Sequence, residues 1–172
     1  MGRKLHIGGK QAQDGWEILN VQPGPGVDHV GNCTDLSAFA DGSIEEIYGS
    51  HVFEHLTYAD ELPRAFDECH RVLAADGRLL ISVPDMQVLS WLYIKPGLQM
   101  NDRLQIMRIL FGGQTDEHDL HKVGFSYDTL CWFLGQAGFR RAEQVERFGI
   151  FDDSSDLKID GEYLSLNVIA TK

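Results

Sequence analysis

The sequence predicts an α/β fold built on a mostly parallel sheet, and three observations carry that expectation. Strand-like and helix-like segments alternate along most of the chain. Residues 45–84 read as a complete βαβ unit. Near the C-terminus two strand-like runs flank a loop, which adds an antiparallel strand to the sheet. The 172 residues suffice for one domain, 1–172, and not for two full catalytic units. With 43% hydrophobic and 24% charged residues, the chain can bury a sizeable core and belongs to neither the disordered nor the fibrous class.

Taken in order, Lys4, Leu5, His6 and Ile7 form a first strand that opens into Gly8 and Gly9, a turn that lets a ligand approach backbone N–H groups. About ten residues separate Gly8 from the next strand-like run, 17–21, too few for a crossover with a normal helix. One face of the sheet is therefore poorly covered here. The βαβ unit begins with a strand around 46–49 and a polar tip at Ser50 and His51. Its helix carries Leu62, Ala65, Phe66, Cys69, Val72 and Leu73 at intervals of three and four, one apolar stripe. Pro63 is tolerated only in a first turn, which places the start near Asp60, whose carboxylate is expected to cap it. A turn at Asp76 and Gly77 leads into a buried strand at 78–83.

Residues 86–124 follow as a lid-like insertion with a helix at about 102–111 that ends in Gly112 and Gly113. Its Trp91, Leu92, Tyr93, Leu104, Met107, Leu110 and Phe111 read mostly as ordinary core, though a lid would carry some of them too. Ser126 caps a further helix bearing Leu130, Cys131, Phe133, Leu134 and Ala137, and Gly138 supplies its left-handed stop. The strands at 139–148 and 163–170 are expected to pair antiparallel around the acidic stretch FDDSSDLKIDGE, itself a solvated turn. That stretch is no calcium loop: counting from Asp152 puts Leu157 where an EF-hand needs Gly and Tyr163 where it needs Glu.

Charge narrows the partners. Fifteen Lys and Arg against 26 Asp and Glu give a net charge of −11 with no compensating basic stripe, so nucleic acid and membrane surfaces are disfavoured and a small-molecule partner is expected. Cys33, Cys69 and Cys131 are odd in number, far apart and without a C-x-x-C pair, which indicates neither a disulfide framework nor a cysteine zinc site and suits a reducing cytoplasm. The N-terminal residues lack the apolar run of a signal peptide, and His6 stands where a myristoylation motif needs Ser or Thr.

The order of segments is itself recognisable. Leu5, His6, Ile7, Gly8 and Gly9 are followed by the run Gly15 and Trp16 into Val21, then by Val30, Gly31 and Asn32. The blocks ADGSIEEIYGSHVFEHL, ECHRVLAADGRLLISVPD and LFGGQTDEHDLHKVGF come next, and then Ala137, Gly138 and Phe139. Together they resemble the class I S-adenosylmethionine-dependent methyltransferases, closest to a short subgroup that opens with a glycine turn and a Gly-Trp pair. The resemblance implies a Rossmann-like methyltransferase fold with helices on both faces of a twisted sheet and a first crossover helix reduced or absent. It implies S-adenosylmethionine as cofactor and methyl transfer to an oxygen or nitrogen of a small molecule, with a saccharide precursor as one acceptor.

By the same resemblance Gly8 and Gly9 lie under the methionine part of the cofactor. Asn20, followed by Val21, falls where the family has an acid for the ribose hydroxyls; Asn32, beside Cys33, falls where it has an Asp near adenine. Ser50 and His51 fall next to the transferable methyl. Two amides in place of acids, and Lys10 at the third glycine-turn position, favour the rival expectation of a binding protein on this fold that has lost cofactor affinity.

Two histidine motifs remain. His51, Val52, Phe53, Glu54 and His55 spell H-x-x-E-H, the signature of a zinc hydrolase, but that chemistry needs both histidines on one face of a helix, whereas His51 sits at a strand tip. Glu54 and His55 are expected to hold the loop by hydrogen bonds, and no metal is expected. The cluster Asp116, Glu117, His118, Asp119, Leu120 and His121 reads as a polar turn or as a source of a general base, with His121 or His51 taking a proton from the acceptor. His6 and His70 fall inside elements and read as packed residues.

Overall fold

The computed structural model describes residues 2–115 and 119–172. Seven strands form one sheet in the order β3-β2-β1-β4-β5-β9-β6. They are β1 (Arg3–Ile7), β2 (Trp16–Asn20), β3 (His29–Val30), β4 (Ile44–Ser50), β5 (Leu73–Pro84), β6 (Arg141–Val145) and β9 (Ser165–Thr171). β1 to β5 pair in parallel, and β9 runs antiparallel to both β5 and β6. From β1 the order runs outward through β2 on one side and β4 on the other, which makes the carboxyl ends of these strands a topological switch point. The predicted antiparallel pair at the C-terminus is present, in register from Arg141 opposite Thr171.

Strand alternation sorts side chains onto two faces. Leu5, Ile7, Ile47, Leu79, Ile81, Val83, Leu166 and Val168 point to one of them, where α1 (Glu61–Val72) and α4 (Tyr127–Gln136) close the main core. The apolar stripe of α1 is buried as expected, and α4 begins at Ser126 with a reciprocal Ser126 and Thr129 cap. Gly138 takes φ +95° just past the end of α4.

The first crossover has no helix, and neither do the β2–β3 and β3–β4 connections. His6 and Tyr48 face the second side of the sheet, where the cover is a loop. Phe151 stacks on His6 at 4.1 Å and on Tyr48 at 4.7 Å between ring centroids, and Phe148 meets Tyr48 edge-on. Asp153 accepts the Tyr48 hydroxyl at 2.7 Å and caps a single 3-10 turn, Ser154–Asp156. The acidic stretch is thus a structural cover and not a solvated turn. Its carboxylates drew attention to solubility, while its Phe151 does the packing.

Two local expectations are corrected. Asp60 makes no side-chain cap; with φ −144° and ψ −58° it lacks the extended backbone that aims an N-cap oxygen along the helix, and its carboxylate pairs with Arg64 at 3.3 Å. Thr57 and Glu61 do the capping, each side chain accepting the other's backbone N–H at 2.8 and 3.3 Å. In the segment 86–124, the helix α3 (Met100–Phe111) is preceded by an unforeseen one, α2 (Met86–Ile94), whose first N–H groups are accepted by Asp85. α2 and α3 form a second apolar cluster with Leu89, Leu92, Ile106, Ile159 and Leu164. The last two flank the short hairpin of β7 (Lys158–Ile159) and β8 (Glu162–Tyr163). Of the seven apolar residues read mostly as core, Leu92 is buried and Leu110 packs on this cluster, whereas Trp91, Tyr93, Leu104, Met107 and Phe111 are exposed. A two-helix layer resting on one small hairpin has only one inner face to fill.

Candidate active site

A cavity of about 610 Å³ opens at the carboxyl ends of β1, β2 and β4, the switch point of the sheet. Gly8, Asn20, Val21, Asn32, Cys33 and His51 line it, so six of the expected cofactor residues share one wall. Gly9 and Ser50 line a smaller adjoining cavity of about 180 Å³, and Gly8 and Lys10 border both. The glycine turn is closely packed. Gly8 has φ +78°, and a Cβ there would meet Val52 Cγ2 at 2.5 Å; a Cβ on Gly9 would meet His6 Nδ1 at 2.6 Å.

The two amides are placed differently. Asn20 is buried, donating Nδ2–H to the Gly9 carbonyl at 3.0 Å and accepting the Gln22 N–H on Oδ1 at 2.9 Å. An acid in the same pose would set a carboxylate against a carbonyl oxygen, which explains the amide by the turn it braces. Asn32 accepts the Thr34 N–H at 3.0 Å and is exposed at the rim. Cys33 is buried, and burial pushes its thiol up to about 12, so it stays protonated and serves as apolar wall.

At the tip of β4 the chain turns sharply. His51 adopts φ +52°, an uncommon conformation for a side-chain-bearing residue, with its N–H held by the Ser82 carbonyl at 2.8 Å. A 3-10 turn, Phe53–His55, follows, and Phe53 sinks into the core beneath Gly49. The Glu54 carbonyl accepts the N–H groups of Lys122 and Val123 at 2.8 and 3.3 Å, which brings His121 beside Glu54 across a long sequence gap. The Glu54 side chain is 1% exposed; His51 Nδ1 lies 3.1 Å and His121 Nε2 3.9 Å from its Oε1. His55 meets His121 edge-on at 4.7 Å and also lines the cavity.

Electrostatics differentiates the two candidate bases. For His51 burial opposes charge, but the Glu54 carboxylate and the Asp153 charge outweigh it and raise the pKa. Its Nε2 lies 3.0 Å from Ser165 Oγ, whose hydroxyl donates to the Ser154 carbonyl, so the serine can only accept here. His51 Nε2 therefore donates to the serine, while Nδ1 faces the Glu54 carboxylate. His121 is the opposite case: burial lowers its pKa further than the Glu54 charge raises it, leaving a neutral ring. Glu54 stays ionised, because His51 overcomes the desolvation that would raise its pKa.

The sequence pattern pointed to His51 and His121 but left Glu54 and His55 as loop braces. The H-x-x-E-H string was the one signal for them. His51 and His55 share no helix, as expected, and the structure adds a partner, His121, that no local spacing reveals. His55 does brace the loop, its Nδ1 lying 3.3 Å from the Leu120 carbonyl. Asp116, Glu117 and His118 lie outside the described residues.

Residues 13–81, from the turn before β2 into β5, match the family model described as "Methyltransferase domain". The chain has a Rossmann-like methyltransferase fold. No curated protein sequence matches it. It superposes on a crystal structure of a SAM dependent methyltransferase from Archaeoglobus fulgidus with TM-score 0.61 and 17% identity, covering 99% of this chain and 86% of that one. It is similar in fold to the Burkholderia thailandensis 1,6-didemethyltoxoflavin-N1-methyltransferase, solved with bound 1,6-didemethyltoxoflavin and S-adenosylhomocysteine. There the TM-score is 0.61 and the identity 14%, over 98% of this chain and 70% of that one. The family-model match includes Asn20, Asn32, Ser50 and His51. No helix of the described residues is long and apolar enough to cross a membrane.

Proposed function

We propose that this protein is an S-adenosylmethionine-dependent methyltransferase that methylates an oxygen or nitrogen atom of a small molecule, a saccharide precursor being one acceptor class, and that it works in the cytoplasm. The observation that supports the site most is the single cavity of about 610 Å³, a volume suited to a small ligand, joining Gly8, Asn20 and Asn32 to the tip of β4. Gly8, Gly9, Asn20, Val21, Asn32, Cys33, Ser50 and His51 hold the cofactor, and the absence of a Cβ at Gly8 and Gly9 lets the turn pack closely on Val52 and His6. S-adenosylmethionine, when bound, supplies a methyl group on a positively charged sulfonium.

The residues do the remaining work by position. Asn20 fixes the glycine turn, and Asn32 offers its amide at the rim. Helices α2 and α3 act as a lid whose exposed Trp91, Tyr93, Leu104, Met107 and Phe111 cover the acceptor and exclude water. Of the two histidines, His121 receives the acceptor proton, because burial keeps its ring neutral, whereas the Glu54 and Asp153 charges favour the protonated form of His51. Glu54 stabilises the positive ring that results, and His51 positions Glu54. The three free cysteines, two of them buried, agree with a reducing compartment.

A transfer assay with methyl-labelled cofactor tests the reading against a panel of hydroxyl- and amine-bearing small molecules, with RNA and protein as competitors. Label in a small molecule is expected. His121→Ala should then lower turnover by about 100-fold or more while cofactor-product binding persists. Label appearing in RNA or protein instead, or full turnover in His121→Ala, contradicts the assignment.

A further inference from the structure

Glu54 is a buried carboxylate whose hydrogen-bonding capacity is unfilled. Among the described residues neither of its carboxylate oxygens receives a well-aligned hydrogen bond, although the side chain is 1% exposed. A buried carboxylate in that state is costly unless a cation completes its pairing. His51 covers one oxygen from 3.1 Å but leaves the other without a partner.

We propose that Glu54, His55 and His121 form a binding site for one divalent first-row transition-metal ion. Ligand atoms of these three residues lie within 4.8 Å of one another. Ions such as Zn2+ hold imidazole nitrogen and carboxylate oxygen at about 2.0–2.2 Å, which sets ligands about 3–3.5 Å apart. The 3.9 Å between His121 Nε2 and Glu54 Oε1 needs only a small contraction. Mixed imidazole and carboxylate donors select zinc, iron, cobalt or nickel over magnesium and calcium, which take oxygen ligands.

The surroundings of the two histidines fit ligation. A metal-bound histidine characteristically donates its second ring N–H to a carbonyl or carboxylate, which fixes the tautomer and leaves the other nitrogen for the ion. His55 Nδ1 lies 3.3 Å from the Leu120 carbonyl, freeing its Nε2. His121 turns its Nε2 toward Glu54. His51 sits behind the set as the partner that orients Glu54. The site differs from the H-x-x-E-H pattern: His121, from a distant segment, replaces His51 as the second nitrogen ligand. Three protein ligands leave open positions, and His55, which lines the cavity, places them beside it, where an acceptor oxygen could bind. The ion and a proton compete for the same His121 Nε2 lone pair, so His121 is a base in the metal-free protein and a ligand in the loaded one.

Metal binding is read without cofactor or acceptor, so its outcome is separable from that of methyl transfer. The full chain, stripped with chelator, is titrated with Zn2+ by calorimetry and with Co2+ by visible absorption, and S-adenosylhomocysteine binding is titrated on the same preparation. One Zn2+ per chain at micromolar or tighter affinity is expected, with a cobalt spectrum of a four- or five-coordinate nitrogen and oxygen site. Glu54→Gln and His55→Ala should each weaken binding by about 100-fold or more, while His29→Ala, on the surface against Glu17, leaves it unchanged. His55 lies at the half-exposed rim, so its variant keeps the test sound if Glu54→Gln fails to fold. Absence of saturable binding at a single site, or affinity unchanged in His55→Ala, overturns the proposal.

Discussion

At Asn20 one side chain serves two backbone groups of opposite character, the Gly9 carbonyl and the Gln22 N–H, which a carboxylate cannot do. Asn20→Asp removes the donor and leaves a buried carbonyl facing a negative charge. It is expected to lower stability by about 1–3 kcal/mol, read from the urea midpoint. His6 makes a second residue-scale prediction. It is buried against Phe151 and Tyr48, its Nδ1 has no hydrogen-bond partner among the described residues, and burial pushes its pKa down from 6.5 to about 4. Between those values the unfolded chain binds the extra proton, so the contribution of His6 to stability is intact above pH 6.5 and is lost as pH falls toward 4. The loss amounts to at most about 3 kcal/mol. Urea unfolding across that window should show a shallower pH slope in His6→Phe than in the wild type; identical slopes would refute the assignment. The amide at Asn20 was plain in the sequence as a departure from the family's acid, but its reason was not, since it lies in a contact between two strand ends.

Among the elements, α1 and α2 show what local pattern can carry. α1 repeats its apolar residues every three or four positions, and that stripe is the one buried. α2 reads Met-Gln-Val-Leu-Ser-Trp-Leu-Tyr-Ile, apolar on almost every side, so no period marks it as a helix. Its start is set by Asp85, whose Oδ1 accepts from Gln87 and Val88 at 2.9 and 3.1 Å. Asp85→Ala should destabilise the protein by about 1 kcal/mol, seen as a lower thermal midpoint. Asp60→Ala, by contrast, should have a smaller effect, because Thr57 and Glu61 hold that helix end. A cap such as Asp85 is legible only once the buried strand before it is known to stop at Pro84. The cluster of Glu54 with His121 was hidden for a related reason. It is made by two backbone hydrogen bonds between segments more than sixty residues apart, and no spacing rule reaches that far.

Across the whole molecule, the strand order with its reversal at β1 and β4 places glycine turn, amides and histidines at one end of the sheet. That much follows from the βαβ unit and the missing first crossover, both countable in the sequence. What replaces the missing helix was not countable: the acidic stretch from Phe151 reads as solvent-facing by composition, yet Phe151 and Asp153 lock it onto Tyr48. The net charge of −11 repels polyanions electrostatically and would favour the cationic donor proposed above. The central claim is that the cavity at the switch point holds the cofactor, and calorimetric titration with S-adenosylhomocysteine tests it most directly. Saturable binding at one site is predicted, and it should vanish in Gly8→Val, whose side chain would fill the space now 2.5 Å from Val52 Cγ2. No heat at millimolar ligand, or the same affinity in a folded Gly8→Val, would contradict it.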